Sequence, residues 1–421
     1  MTVKSHSFTR SSLDQPGKYR PSGIRSVLLP KNGLKVFVGG VLFSYAFLPL
    51  VIYNYYWDNP NLLFLAELCF LSVFFMFAGS KISLFDHQIG PSSKKLVISE
   101  KHFMLATWVA FTLFAATTIA SAPSIPLITA IQGADASTLS AQRGDFLKTR
   151  SGIAGILPYL NTFFMNTIIP YSIILAFQRR RRWAKSLIVY ILLYSISFLV
   201  KALFLNVVLP VTVYFALAGR LSRKGLIFLL TGVFAFLLFG FFVTSSGENE
   251  KGIAFDEPAS VYFSSKYRPD NSRDKFVWRV LSVPVFTASD TLIVHELEFG
   301  GKPLLGATSS VISALSGMER INLERHVFAY QFGGWSDRGN ANSVFFVGAF
   351  ANFGYLGVVL FSLFVGLVFR WFRLSSDPVF QCLWTLFGFV LFSGSLIGML
   401  LSNGFLFMLF FAWFVRIRGK S

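Results

Sequence analysis

Charge is what this 421-residue chain lacks. Asp, Glu, Lys and Arg make up 14% of it, where a globular protein carries about a quarter. The apolar residues, 54% of the total with a mean hydropathy of +0.59, come in long blocks rather than in alternation. That excludes a soluble two- or three-domain enzyme and a disordered chain. Cysteine is nearly absent as well. Cys69 and Cys382 each lie inside an apolar block, so neither a disulfide scaffold nor a zinc site can be built, and both read as small hydrophobes in membrane helices. There is no P-loop, no HExxH, no cluster of His and Cys ligands and no GxSxG elbow. Internal repeats and low-complexity arrays are missing too. No metal or cofactor is expected.

What is abundant is phenylalanine, with 50 copies against 8 Trp and 14 Tyr. Phe suits lipid-facing helices because it has no polar atom to satisfy. The net charge of +18 and the pI near 10 invite a nucleic-acid reading. The basic residues sit in short clusters between apolar blocks, however, which is how a membrane protein fixes its orientation. Nucleic acid is therefore not an expected partner.

A hydrocarbon core of about 30 Å needs about 20 helical residues. By that measure the chain contains about ten spans: 34–54, 61–79, 102–121, 155–177, 186–200, 203–219, 226–245, 353–370, 379–394 and 397–415. The runs 186–219 and 379–415 read as tight hairpins split near Lys201 and near Ser393-Gly394-Ser395. Alternate loops then divide the Lys and Arg residues unevenly. One side receives 24, through the tail up to Lys35, loops 80–101, 178–185, 220–224 and 370–378, and the C-terminal tail; the other side's short loops hold four. Both termini are expected in the cytoplasm. Arg179-Arg180-Arg181-Arg182 reads first as a stop-transfer anchor and second as a site for lipid headgroups. The expected class is an all-α polytopic membrane protein. It has a basic tail (1–33), helices over 34–245 with a small basic outer loop at 122–154, and a large outer loop at 246–340. A re-entrant segment with three more spans (341–415) and a short tail (416–421) follow. The tail at 1–33 reads as flexible, and no cleaved signal precedes the first span.

Loop 246–340 holds twelve of the twenty acidic residues, ten basic residues and two of the five histidines, so a site is expected there. Its apolar residues recur at helical spacing over 274–298 and 319–332, which predicts short helices on the outer membrane surface. Acid–base candidates are Asp290, His295, Glu296, Glu298 and His326. Glu319, Arg320, Glu324 and Arg325 have the spacing of ordinary helix ion pairs. Arg143, Lys148, Arg150 and Lys201 defy the positive-inside bias. They either snorkel or pair with Asp135 and Asp145, or else they hold an anion at the outer interface. Arg273, Lys275 and Arg279 could complete such a pocket, since arginine binds phosphate through a planar, permanently charged fork. Only Glu67 places a charge deep in a span, which weakens a proton-coupled transporter reading.

Residues Gly339–Leu367, GNANSVFFVGAFANFGYLGVVLFSLFVGL, combine an Asn-Ser pair, an amphipathic segment, a Phe-Gly-x-x-Gly turn and a small-residue span. This stretch resembles the late region of the O-antigen and oligosaccharide repeat-unit polymerases of bacterial envelopes. FGGKPLLGATSSVISAL, Phe299–Leu315, looks like their outer-loop region, and the layout of spans agrees. The physical reading is compatible. Asn340, Asn342, Ser343, Asn352 and Gly354 mark 339–354 as interfacial or re-entrant, a geometry tolerated where backbone lines a cavity.

The resemblance implies an enzyme of the bacterial inner membrane. It would transfer a growing glycan from a polyprenyl-diphosphate carrier to a new lipid-linked repeat unit. The implied partners are those lipid-linked oligosaccharides, membrane lipids and a chain-length regulator. Asp290, His295 and His326 stand as catalytic candidates, and Arg143, Arg150, Lys201, Arg273 and Arg279 as candidate holders of the diphosphate. A ligase that moves finished glycan to lipid A core, a lipid or solute transporter and a non-catalytic assembly subunit are the competing readings.

Overall fold

The computed structural model describes residues 24–90, 94–134, 136–147, 152–222, 224–225, 227, 231–232, 262–267, 269, 271–333 and 339–419. Among the described residues 74% are helical, and six helices are long and apolar enough to cross a membrane. Five of them match expected spans: α1 (Pro30–Tyr55), α2 (Pro60–Gly79), α3 (Glu100–Ala120), α4 (Ala154–Gln178) and the long helix ending at Leu374. Four other expected spans are shorter apolar helices: α5 (Ala184–Ser197), α6 (Lys201–Leu217), and two near the C-terminus. Span 226–245 lies almost wholly outside the described residues. This is a multi-pass helical membrane protein, with an apolar core that runs through the whole bundle.

The sixth long helix corrects the reading of the large loop. Residues Ser272–Phe299 form one 28-residue helix, α7, rather than short helices on a membrane surface. It packs into the bundle: Val285 meets Ile52 of α1 and Leu62 of α2, and Ala288 and Leu292 join the main core. One polar face points inward, so Ser282, Thr287, Ser289, Asp290, Thr291 and His295 are all buried, while Arg273, Arg279, Glu296 and Glu298 remain exposed. Gly300, with φ 61°, ends it, the left-handed cap that glycine adopts at little cost. The short helix α8 (Leu323–Phe332) packs across α7 through Val294, Leu323 and Val327.

The run beginning at Phe345 reverses direction. Helix α9 (Phe345–Leu374) is interrupted at Phe353 and at Gly354, whose φ 61° and ψ −154° belong to a region that only glycine occupies readily. The rings of Phe345 and Phe369 both lie against Phe37, at 6.3 and 5.3 Å. They are therefore within about 12 Å of each other, whereas an unbroken helix would separate their backbones by about 36 Å. Phe64 likewise touches Phe350 on one limb and Tyr355 on the other, at 5.1 and 6.3 Å. Residues 345–352 thus climb from the level of Phe37, and the chain turns over at Gly354 and descends as 355–374. The descending limb seats on α2 without side chains intervening. A Cβ on Gly79 would strike the Leu363 carbonyl and one on Gly366 the Met76 carbonyl, the close approach that small residues permit between membrane helices. Buried Ser72 and Ser362 share a hydrogen bond of 2.8 Å across the same seam.

The C-terminal helices are α10 (Pro378–Phe392) and α11 (Phe405–Phe414). The expected span 397–415 is broken, with a five-residue helix at Leu396–Leu400 and a left-handed Gly404 before α11. After α11 the chain becomes a strand. β1 (Leu96–Ser99) and β2 (Val415–Arg418) pair in parallel, Leu96 opposite Val415 and Ser99 opposite Arg418. This sheet departs from the all-helical expectation. It belongs to the basic end of the bundle, where Arg370 grips Asp86, Arg181 and Arg179 flank the buried Glu100, and Lys95 donates to the Ala412 carbonyl at 2.8 Å. The opposite end holds the cavity.

Candidate functional site

Between the climbing limb of α9, α4, α6, α7 and the segment after α10 lies a cavity of about 590 Å³, within the range of small-molecule sites. Its lining is polar and mostly neutral. Thr162 and Asn166 come from α4, Asn206 from α6 and Thr291 from α7. Thr308, Ser309 and Ser310 come from the loop after α7, and Ser393, Ser395, Ser402 and Asn403 from the broken segment around Leu396–Leu400. Asn340, Asn342, Ser343 and Asn352 come from the hairpin. Six of the fourteen asparagines in the chain line this one space, a concentration that backbone capping alone would not produce.

Local structure explains how these groups are held. Residues Phe164–Ile168 form one π-helical turn in α4, the kind of bulge that often re-aims a side chain at a functional site. Asn166 sits on that turn, buried, and accepts a hydrogen bond from the Asn206 amide. Asn352, at the top of the climbing limb, holds the rim together. Its Oδ1 accepts from the Gly306 backbone and from the Thr308 hydroxyl, both at 3.1 Å, and its amide donates to the Gly348 carbonyl at 2.8 Å. The backbone of 304–305 also donates to the carbonyls of Ala351 and Asn352, at 3.0 and 2.8 Å. Two lining atoms are left over. The Oδ1 of Asn206 and the hydroxyl of Ser343 are enclosed and have no partner in the structure. Buried polar atoms are normally satisfied, so these two mark hydrogen-bonding capacity left unused in the cavity wall.

A second, apolar groove of about 390 Å³ adjoins the cavity. Ile312, Phe353, Phe361, Phe364, Leu396, Leu400, Leu401 and Leu406 line it, and Ile397 belongs to both walls. The two lie on either side of Ile397, a hydrogen-bonding chamber beside a greasy slot.

The sequence-derived candidates fall around this site rather than in it. Asp290 is buried one residue from Thr291, but its Oδ2 is taken by the Gln331 amide at 2.8 Å. His295 is buried, with Nε2 3.0 Å from the Lys302 carbonyl and its ring on Phe350. His326 pairs with Glu298 at 2.5 Å on a half-exposed surface. None of the three lines the cavity. Among the cations, Arg273 and Arg279 are exposed on the first turns of α7. Arg143 lies on a short helix, Ala136–Leu147, with its Nε 3.4 Å from the Leu139 carbonyl. Lys201 opens α6, and only its backbone is described. Lys148 and Arg150 lie outside the described residues. None of Arg143, Arg273 and Arg279 reaches the cavity, whereas Arg320 and Glu324 do. Their i, i+4 spacing predicts a helix pair, but Arg320 precedes α8, which starts at Leu323, so the spacing does not lie within one helix. Among the described residues no group of three His, Cys, Asp or Glu side chains could hold a metal ion.

No family model matches the chain, no curated protein matches it, and no solved structure matches it.

Proposed function

We propose that the protein is a membrane glycosyltransferase that lengthens a glycan carried on a polyprenyl diphosphate, at the outer face of a bacterial inner membrane. The observation that carries this reading is the junction at Ile397 between a neutral polar cavity and an apolar groove. A lipid-linked oligosaccharide has the matching anatomy: a sugar rich in hydroxyls, a charged diphosphate, and a long hydrocarbon tail. Amides and hydroxyls suit sugar hydroxyls because each both donates and accepts, and the groove suits the first isoprene units. The ends exposed to lysine and arginine bias, and the likeness of Gly339–Leu367 to the repeat-unit polymerases, supply the sidedness and the reaction class.

In the proposed reaction an acceptor hydroxyl attacks the anomeric carbon of the growing chain. The bond from that carbon to the diphosphate oxygen breaks, and the polyprenyl diphosphate leaves with its electron pair. Arg320 is the cavity's candidate for holding the departing diphosphate, by bidentate charge-assisted hydrogen bonds. Glu324, in the first turn of α8, is its candidate for taking the acceptor's proton. Arg143, Arg150, Lys201, Arg273 and Arg279 would then serve the approach of the anionic carrier rather than the transfer itself.

The test is genetic and chemical. Deleting the gene should leave surface glycan at core plus one repeat unit on a gel; bare core would favour the ligase reading, and wild-type ladders would reject both. Arg320→Ala should remove long chains while the protein still reaches the membrane, and Arg320→Lys should rescue poorly because a lysine lacks the planar fork.

A further inference from the structure

The proposed reaction leaves Glu67 unused. This carboxylate is on α2, about 11 Å from the helix's first residue at 1.5 Å per residue, and the residue is exposed on the outside of the bundle. It does not point into the cavity or the groove. Around it the outer surface is apolar: Leu63, Phe70 and Phe74 on α2, and Leu356 and Leu360 on the descending limb of α9, are all exposed. The Tyr355 hydroxyl donates to Oε1 at 3.0 Å. One such bond leaves a carboxylate with most of its acceptor capacity open, in a place where lipid tails offer no donor. Charged groups of this kind within the membrane are paired or functional.

We infer that this face is a docking surface for a transmembrane helix of a second membrane protein, and that the helix presents a lysine or arginine to Glu67. Charge complementarity selects this occupant over the others. The chain's own span at 226–245 contains no basic residue, so it cannot supply the cation. A second copy related by a twofold axis would present the same patch to itself and bring carboxylate against carboxylate. Lipid tails alone leave the charge unpaired. The hydrogen bond to Tyr355 adds a reason for the location. Tyr355 directly follows the reversal at Gly354, so a partner seated on Glu67 would bear on the turn that carries Asn352 and the cavity rim.

The inference is independent of the glycan reading and is tested without an activity assay. A benzoylphenylalanine placed at Phe70 of the full chain in native membranes is irradiated, and the adduct is identified by mass spectrometry. The expected result is an adduct to one other protein, through a helix containing Lys or Arg. Its yield should fall at least tenfold in Glu67→Gln, a neutral variant of nearly the same shape that keeps an acceptor for Tyr355, and equally in Glu67→Lys. Reversing the partner's cation to Glu should restore the yield in the Glu67→Lys background. Adducts with lipid only, adducts with a second copy of this chain, an unchanged yield in Glu67→Gln, or failure of the reversed pair to restore association would each overturn it.

Discussion

The two ends of the bundle treat polar groups in opposite ways. At the basic end, charges and buried hydroxyls are tied off against partners far away in sequence. Arg370 reaches Asp86 at 2.5 Å, Arg181 reaches Glu100 at 2.7 Å, and the Tyr171 hydroxyl donates to Asp377 at 2.6 Å. At the cavity end, neutral amides and hydroxyls surround an open space, and Asn206 Oδ1 and Ser343 Oγ have no partner. An unmade buried hydrogen bond costs about 1–3 kcal/mol. The first arrangement stabilises a closed end; the second leaves hydrogen-bonding capacity unused in the wall of an open space. The comparison teaches where substitution should damage the fold and where it should damage binding.

The largest effect is expected at the seam that carries both ends. Gly366→Leu would drive a side chain into the Met76 carbonyl and separate α9 from α2. It should abolish the monodisperse peak of the detergent-extracted protein in size-exclusion chromatography. Gly39→Ala, where an added Cβ meets nothing, should leave that peak intact.

Next comes the basic end. Arg370→Ala leaves Asp86 partly buried without its cation. The side chains are 17% and 25% exposed, so solvent screens the loss, and about 2 kcal/mol of destabilisation is expected. Thermal unfolding in detergent should show it as a melting point several degrees lower.

The cavity should behave the other way. Ser343→Ala removes a hydroxyl that has no partner and should change stability by no more than about 1 kcal/mol, while shortening the glycan ladder in cells. A large stability loss with an unchanged ladder would erase the distinction between the two ends.

The smallest effect concerns pH. Burial raises the Asp377 carboxyl above the ordinary carboxylate range, although the Tyr171 hydroxyl, the backbone N–H groups of Val379 and Phe380, and Lys95 all pull it back down. A folded-state value above the unfolded one means that the folded protein binds the extra proton. The stabilising contribution is then complete below pH of about 4 and is lost as pH rises through the folded value. Measured from pH 4 upward, the melting point of Asp377→Asn should gain on wild type. A constant difference across that range would remove the titration from the account.

Much of this architecture is legible in composition. Runs of about 20 apolar residues mark the long helices, and the breaks at Lys201 and Ser393–Ser395 mark real helix ends. The asparagines and Gly354 flag 339–354 as irregular, but hydrophobic periodicity carries no sign for direction, so the reversal of α9 is visible only in space, through the ring partners that Phe37 and Phe64 find on both limbs. Helix α7 reads in the sequence as surface helices because inward-facing Ser, Thr, Asp and His dilute its apolar character. β1 and β2 are short strands from opposite ends of the chain, a pairing that no local pattern announces. The site itself was the least legible part. Its walls come from many segments that each contribute one to four neutral polar residues, and Arg320 and Glu324 have the spacing of an ordinary helix pair. The asparagines that gather there are spread along the chain from Asn166 to Asn403, so nothing local in the sequence marks them as neighbours.

The central claim is that chamber and groove together take one amphiphile. Its most direct test is binding of a short-chain polyprenyl-diphosphate disaccharide to the purified protein, followed by native mass spectrometry. The account predicts saturable binding that weakens at least tenfold in Ile397→Trp, which plugs the junction, and in Arg320→Ala. The polyprenol without diphosphate and the free disaccharide should each bind far more weakly than the whole molecule. Equal binding by either fragment, or binding that survives both substitutions, would contradict it.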